Sequence, residues 1–406
     1  MQCGLLGRTL GHSFSPQLHA LLGDYSYQLF EKEPENLADF LQNGAFDALN
    51  VTIPYKKAVL PCCAELSDAV RAVGCANTLV RRKDGTLAAY NTDVFGFSCL
   101  LQSSGVDVCG RKVLVFGSGG ASLSVRHVLR QKGARETVVI SRSGENNYVN
   151  LSKHSDAEIL INTTPLGMYP ENGKSPADIS TFPKCIGVLD VICNPLRTAF
   201  VQQAEQLGIR NAGGLIMLIA QAVRSAELFT GKPAENDKIE EIADLMQRKM
   251  QNIILIGMPG CGKTTVGKLL AKRLNRPFFD ADAELEKHLG LGIPQIFSRY
   301  GEAYFRDRES EILSRLGKKT GAVIAAGGGA VLREENYLHL HQNGTIVRLS
   351  RALSSLSSEG RPVLFHKDVQ TLYAERMPYY ERFADVTVRN DGTPEQTVTA
   401  ILEAMP

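Results

Sequence analysis

Two stretches of the chain order their apolar and polar positions in the same way. In the first, an apolar run from Val113 to Phe116 enters a Gly-rich turn at residues 117–121, and apolar residues then recur at helical spacing from Ser122 to Arg130. In the second, the apolar run at residues 253–256 enters a Gly-rich loop, and helical spacing follows from Lys263 to Leu274. An unbroken apolar run predicts a strand buried on both faces. Recurrence at i, i+3 and i+4 predicts a helix with one buried face. Strand, glycine loop and helix in that order open an α/β unit. The two openings are too far apart to share one mononucleotide-binding unit, so they predict two nucleotide sites. The residues before 111 carry their own alternation of strands and helices, and helical signals reappear after Gly213. This leaves room for a separate lobe to which the chain returns, with a cleft between lobes as a ligand site.

The division into halves falls near residue 250. Residues 240–250 (EEIADLMQRKM) have amphipathic spacing, and a new strand starts at once. No Gly/Ser- or Pro-rich linker intervenes, so the halves are expected to be closely tethered. Residues 354–360 (SSLSSEG) read as a short loop.

Composition narrows the class. The chain has 406 residues, 44% hydrophobic and 22% charged, which predicts two or three packed domains and excludes a disordered or fibrous chain. Lys and Arg number 45 against 43 Asp and Glu, for a net charge of +2. That gives no broad field for a nucleic-acid backbone. The opening MQCGLLGRTLGHSFS has no apolar run, so no secretory leader is expected. The stretch GGLIMLIAQAV is too short to cross a bilayer and contains Gln221. Nine scattered Cys, with no Cys-x-x-Cys pair, point to a reducing, cytoplasmic compartment and to neither a disulfide scaffold nor a zinc site.

The strongest chemical signal lies in the second half. Gly257-Met-Pro-Gly260-Cys261-Gly262-Lys263-Thr264 fits G-x-x-x-x-G-K-[ST]. Glycines let backbone N–H groups wrap phosphate oxygens, Lys263 reaches the β- and γ-phosphates, and the Thr264 hydroxyl ligates Mg²⁺. Thr265 completes the loop. Asp280 and Asp282 follow a short strand. Alone, Asp-x-Asp reads as a solvated loop end. One helix after a phosphate loop, one carboxylate can hold Mg²⁺ and the other can take a proton from an alcohol. Arg306 and Glu309 are three apart on an expected helix and can pair, although a surface ion pair reads equally well. Gly327-Gly328-Gly329 follows a buried-looking strand and would let a substrate approach the backbone.

With Gly360-Arg361-Pro362 and Arg376 ahead of Tyr379-Tyr380, this half resembles shikimate kinase. The resemblance implies a P-loop domain with a parallel sheet flanked by helices over residues 251–406, using ATP and Mg²⁺. It implies that Arg306 and Arg376 clamp a substrate carboxylate beside Gly328 and Gly329. Asp282 would hold hydroxyls and act as base, and Arg361, in a lid, would stabilise the transferring phosphoryl group. Thr264 and Asp280 would serve the metal. The stretch between Leu349 and Arg361 is shorter than the family's lid, and no residue before it takes the place of the family's adenine-stacking Arg.

In the first half, Gly117-Ser118-Gly119-Gly120-Ala121 is a compressed glycine turn between strand and helix, suited to a pyrophosphate at a helix N-terminus. About twenty residues on, Arg142 closes a second strand with no acidic residue beside it, which favours NADP over NAD. Ser13 and Ser15, Thr52 and Lys56, Asn77-Thr78, and Asn91-Thr92-Asp93 are polar patches that singly read as turn chemistry. Together with residues 162–168, 190–198 and 213–222, they make residues 2–249 similar to shikimate dehydrogenase. The resemblance implies an α/β substrate lobe, about 1–98 and 224–249, and a Rossmann lobe, about 99–223. It implies that Ser13 and Ser15 bind the substrate carboxylate and that Thr52, Asn77, Asn91 and Gln221 hold its hydroxyls. Lys56 and Asp93 would be the catalytic pair, and Gly117–Ala121, Arg142, Thr163 and Gly214 would serve NADP(H). The departures are Cys193, Ser141 and Ser143, where the family has Tyr, Asn and Thr.

The halves then share a metabolite. The first would reduce 3-dehydroshikimate to shikimate, and the second would phosphorylate shikimate. No nucleic acid, membrane or protein partner is implied. The alternative is a shikimate- or quinate-binding regulator built on inactive domains. Intact Lys56, Asp93, Lys263, Thr264, Asp280 and Asp282 argue against it, because a binder need not keep them.

Overall fold

The two apolar runs become inner strands of two of the three sheets. A computed structural model describes residues 1–11, 13–235, 237–353 and 369–405. The first sheet holds β1 (Gln2–Gly7), β2 (Ser26–Glu31), β3 (Ala48–Val51), β4 (Glu65–Leu66), β5 (Thr78–Arg81) and β6 (Leu87–Tyr90), in the order β2-β1-β3-β5-β6-β4. It is mixed: β5 runs antiparallel to both β3 and β6, while the other pairs are parallel. The second sheet is wholly parallel, with β7 (Lys112–Phe116), β8 (Glu136–Ile140), β9 (Ile159–Asn162), β10 (Gly187–Asp190) and β11 (Arg210–Ala212) in the order β11-β10-β9-β7-β8. The third is also parallel, with β12 (Asn252–Ile256), β13 (Phe278–Asp280), β14 (Val323–Ala325), β15 (Gly344–Ser350) and β16 (Val386–Arg389) in the order β13-β14-β12-β15-β16.

The two strands picked out by apolar runs are buried on both faces, and successive side chains feed different cores. On β12, Ile254 and Ile256 enter one cluster with Leu285, Leu313 and Tyr380, while Ile253 and Leu255 enter another with Val266, Leu270 and Val398. On β7, Val113 and Val115 pack with Phe97 and Val128, while Leu114 and Phe116 pack with Ile140 and Phe200. Chain order reverses direction at β7 and at β12, the switch points where a parallel sheet leaves a crevice at its C-terminal edge. Both Gly-rich turns leave from these strands.

By its contacts the chain forms two units: Met1–Asn194 with Phe200–Met246, and Pro195–Ala199 with Gln247–Pro406. The helix Lys238–Met250 carries the chain from one to the other. Within the first unit, the helix Leu215–Thr230 runs unbroken through residues 223 and 224. Its Met217 packs in a core of the second sheet, while Ser225 bonds to Asn50 and Thr78 at the first. The return to the first lobe is therefore one helix serving both sheets. Among the described residues, no helix is long and apolar enough to cross a membrane.

Candidate active sites

In the first unit, the ends of β3, β5 and β6 converge on a carboxylate. Lys56, just past β3, donates from Nζ to Asp93 Oδ2 at 2.6 Å. Asp93 opens the helix Asp93–Ser104 and is 6% exposed. Its other oxygen accepts from Asn77 Nδ2 at 2.9 Å, and the same nitrogen lies 3.4 Å from Gln221 Oε1. The Asn77 amide is held in that orientation, because its Oδ1 accepts the Thr92 N–H at 2.7 Å. Behind it lies a buried hydroxyl cluster. Ser225 Oγ is 2.8 Å from Asn50 Nδ2, 3.0 Å from Thr78 Oγ1 and 3.1 Å from Thr92 Oγ1. Tyr27 donates its hydroxyl to Asn50 Oδ1 at 2.8 Å. Such a network costs little only when every member is partnered, and it then fixes one geometry.

The glycine turn after β7 meets this cluster. Gly117 has φ +107°, a conformation open to glycine, and a Cβ there would lie 2.8 Å from Thr163 Oγ1. Gly119 caps the helix Gly120–Gln131 with no side-chain hydrogen bond, and the first turn holds no acidic residue. Among the described residues no side chain bonds the N–H groups of that turn, and a Cβ on Gly119 would meet nothing within 4 Å. This donor set and this space suit a dinucleotide pyrophosphate. At Gly120 a Cβ would lie 3.1 Å from Lys56 Cδ, so the lysine stem crosses the helix start where only hydrogen is present. Thr163 gives its hydroxyl to the Phe116 carbonyl at 2.7 Å and braces the turn. Arg142 lies exposed past β8. Cys193, close behind β10, has its thiol pushed up to about 11, first by burial.

In the second unit, a cleft of about 520 Å³ opens at the C-terminal edge of the third sheet. Its floor is the loop between β12 and the helix Lys263–Leu274. Lys263 Nζ donates to the carbonyls of Gly257 and Met258 at 2.8 and 3.1 Å, and Gly262 caps the helix with no side-chain bond. Gly262 has φ +96° and would place a Cβ 2.5 Å from Asn390 Nδ2. Asn390 donates to the Cys261 carbonyl at 2.6 Å, so β16 braces the loop from outside. Thr264 donates to Asp280 Oδ2 at 2.7 Å. A hydroxyl and a carboxylate oxygen already in contact beside open N–H groups form an all-oxygen set, which fits Mg²⁺ with a nucleotide triphosphate.

Asp282, in the first turn of the helix that Asp280 caps, lines the same cleft. Burial pushes its pKa up to about 6, and Glu309 and Asp280 add to the shift. Arg306 and Glu309 pair at 2.7 Å with residue exposures of 7% and 2%, so this is a buried ion pair and not the surface pair that the spacing equally allowed. Two of the three glycines after β14, Gly327 and Gly329, make room for it. A Cβ on Gly327 would lie 2.5 Å from Glu309 Oε1 and 2.7 Å from Asp282 Oδ1, and one on Gly329 would overlap the Arg306 guanidinium. The sequence pattern predicts substrate approach to these glycines. In the structure, the protein's own charged side chains occupy the space at Gly327 and Gly329. The Gly328 carbonyl accepts from Arg376 Nη1 at 2.8 Å and from the Tyr380 hydroxyl at 2.5 Å.

These two arrangements can be set beside known proteins. Residues 5–79 match the shikimate dehydrogenase substrate-binding domain, and residues 259–406 match shikimate kinase. An NADP(+) shikimate dehydrogenase from Clostridium perfringens is 33% identical over 260 residues, covering 59% of this chain and 96% of that enzyme. One from Caldicellulosiruptor bescii is 37% identical over 253 residues, covering 55% and 88%. The chain belongs to the shikimate dehydrogenase family. With the second match it is a fusion of shikimate dehydrogenase and shikimate kinase domains. Among solved structures, a chorismate mutase/shikimate 5-dehydrogenase fusion protein from Clostridium acetobutylicum is 33% identical with a TM-score of 0.58, covering 61% of this chain and 97% of that one. Shikimate 5-dehydrogenase from Thermus thermophilus, in complex with NADP(H) and shikimate, is 30% identical with a TM-score of 0.55, covering 60% and 99%.

In the dehydrogenase, Ser13 and Ser15 follow β1, and Thr52 follows the neighbouring β3, so all three stand at one end of the sheet. The Ser13 hydroxyl accepts the Ser15 N–H at 3.2 Å. Asn91, expected to hold a substrate hydroxyl, has its amide committed within the protein. It donates to the Cys75 carbonyl at 3.0 Å and accepts from Ser124 Oγ at 3.2 Å. It thus ties the dinucleotide helix to β6. Gly214 caps the 215–230 helix, where a Cβ would overlap the Val191 carbonyl. That is a packing requirement. In the kinase, Arg361 and the 354–360 loop lie outside the described residues. Residue patterns missed Ser225, Asn390 and the bracing role of Asn50. Asn50 stands two residues before Thr52, and nothing local marks Ser225 within a helix.

Proposed function

We propose that the chain catalyses two consecutive steps: NADPH-dependent reduction of 3-dehydroshikimate to shikimate, then ATP-dependent phosphorylation of shikimate to shikimate 3-phosphate. The observation that carries it is the presence, in one chain of two matched families, of both a lysine–carboxylate pair beside a dinucleotide turn and a phosphate loop facing a buried carboxylate.

NADPH, when bound, supplies the hydride for the first step. Reduction of the ketone builds negative charge on its oxygen. Lys56 stabilises that charge and delivers the proton, while Asp93 keeps the ammonium aimed and Asn77 keeps Asp93 aimed. Ser13 and Ser15 would hold the substrate carboxylate, and Thr52 and Gln221 its hydroxyls.

ATP with Mg²⁺ supplies the phosphoryl group of the second step. The Lys263–Leu274 helix start would bind phosphate, and Thr264 with Asp280 would hold the metal. Arg306 and Arg376 bind the substrate carboxylate, where a rigid guanidinium fork matches a planar anion. Asp282 accepts the proton of the attacking hydroxyl. Its raised pKa suits a base that must give the proton back near neutrality.

The test separates the sites. Lys56→Ala is expected to abolish NADPH oxidation and leave shikimate phosphorylation intact. Lys263→Ala is expected to do the reverse. Loss of both activities in a folded single variant would overturn the two-site reading.

A further inference from the structure

The kinase cleft has an arginine that neither the motifs nor the families' pattern in this chain accounts for. Arg351 follows the last residue of β15, the strand beside β12, and so stands at the sheet edge where the phosphate loop begins. It lines the phosphate-loop cleft together with Gly260, Lys263, Thr264 and Asp280. It also lines the smaller cavity behind the loop, with Gly257 and Met258. The strand and the loop are in close contact, since a Cβ on Gly257 would lie 2.5 Å from the Leu349 carbonyl. The backbone beside Arg351 is anchored: the Ala352 N–H donates to Asp391 Oδ1 at 3.2 Å, and the Asn390 N–H donates to the Ser350 carbonyl at 2.7 Å.

The neighbouring arginines are engaged. Arg306 pairs with Glu309 and Glu302, Arg348 with Glu381 at 3.5 Å, and Arg376 with the Gly328 carbonyl. No hydrogen bond or ion pair engages the Arg351 guanidinium among the described residues, and its Nε, like that of Arg306, is shielded from solvent without an acceptor. A guanidinium nitrogen removed from water without an acceptor is costly, and an anion arriving in the cleft would relieve that cost. The anion for which the adjoining loop is built is a phosphate chain.

We propose that Arg351 is a nucleotide-binding residue, donating to the phosphate chain of ATP or ADP alongside Lys263. The proposal rests on the kinase reading above. It gives the site a cation mounted at the end of a sheet strand.

The direct test is calorimetric titration of the full chain with ADP and, separately, with adenosine. Arg351→Ala should weaken ADP binding about tenfold to hundredfold, the range of a lost charge-assisted contact, with adenosine affinity unchanged. Arg351→Lys should fall between, keeping the charge without the fork. Retained adenosine binding reports that the kinase unit of each variant is folded. Unchanged ADP affinity in Arg351→Ala would overturn the proposal. An equal loss of adenosine affinity would also overturn it, by moving the contact to the base. Failure of the wild-type chain to bind ADP at all would instead overturn the kinase reading.

Discussion

Gly329 shows how closely one residue can determine a site. Its φ of −104° is open to any side chain, so the backbone does not demand glycine. The demand comes from the Arg306 guanidinium, which occupies the place where a Cβ would stand. Gly329→Ala should therefore displace Arg306 from Glu309 and raise the shikimate KM about tenfold, the loss of one charged contact, while the KM for ATP stays. An unchanged shikimate KM would contradict the assignment of Arg306 to the substrate carboxylate. His19 makes a different case. It is 1% exposed, stacked on Tyr27 with ring centroids 4.0 Å apart, and burial lowers its pKa to about 3. Below the ordinary value of 6.5 the unfolded chain takes up a proton that the folded one excludes. Stability then falls with pH by about 1.4 kcal/mol per unit from 6.5 toward 3. His19→Phe should move acid unfolding of the dehydrogenase, followed by circular dichroism, to lower pH. An unmoved midpoint would count against this source of acid sensitivity.

At the scale of elements, the parts legible in the sequence were those whose physics is local. A strand buried on both faces is apolar along most of its length, and a phosphate loop needs glycines at fixed spacing, so β7, β12 and their turns stood out. The Asp280–Thr264 contact was legible because one helix and one short strand separate its members. What stayed hidden depends on segments far apart in the chain. Ser225 joins Asn50, Thr78 and Thr92 from a helix more than a hundred residues on, and no local pattern distinguishes it from an ordinary helical serine. The family resemblance implies that Asn91 holds a substrate hydroxyl, while its partners Cys75 and Ser124 come from segments that only folding brings together. The Ser225 cluster sets the orientation of Asn77, and through it that of Asp93. Ser225→Ala should lower dehydrogenase kcat severalfold, with destabilisation of about 1–2 kcal/mol, and leave phosphorylation unchanged. Unaltered NADPH oxidation would show that Asn77 holds its orientation without the serine.

For the whole molecule, the two sites lie in separate compact units, each with its own cores and its own glycine turn at a sheet switch point. Nothing in the chemistry of one requires the other, so each step should proceed with the other disabled. Tethering raises local concentration only where geometry lets the product reach the second site before it escapes. An excess of a competing external kinase should therefore capture shikimate released by the first site. The central claim is that both sites work and that their reactions are consecutive. The most direct measurement is a single reaction of the full chain with 3-dehydroshikimate, NADPH and Mg-ATP, with products identified by mass spectrometry. The account predicts shikimate 3-phosphate, with shikimate as its precursor. A reaction that stopped at shikimate would contradict the kinase assignment, and no product at all would contradict both.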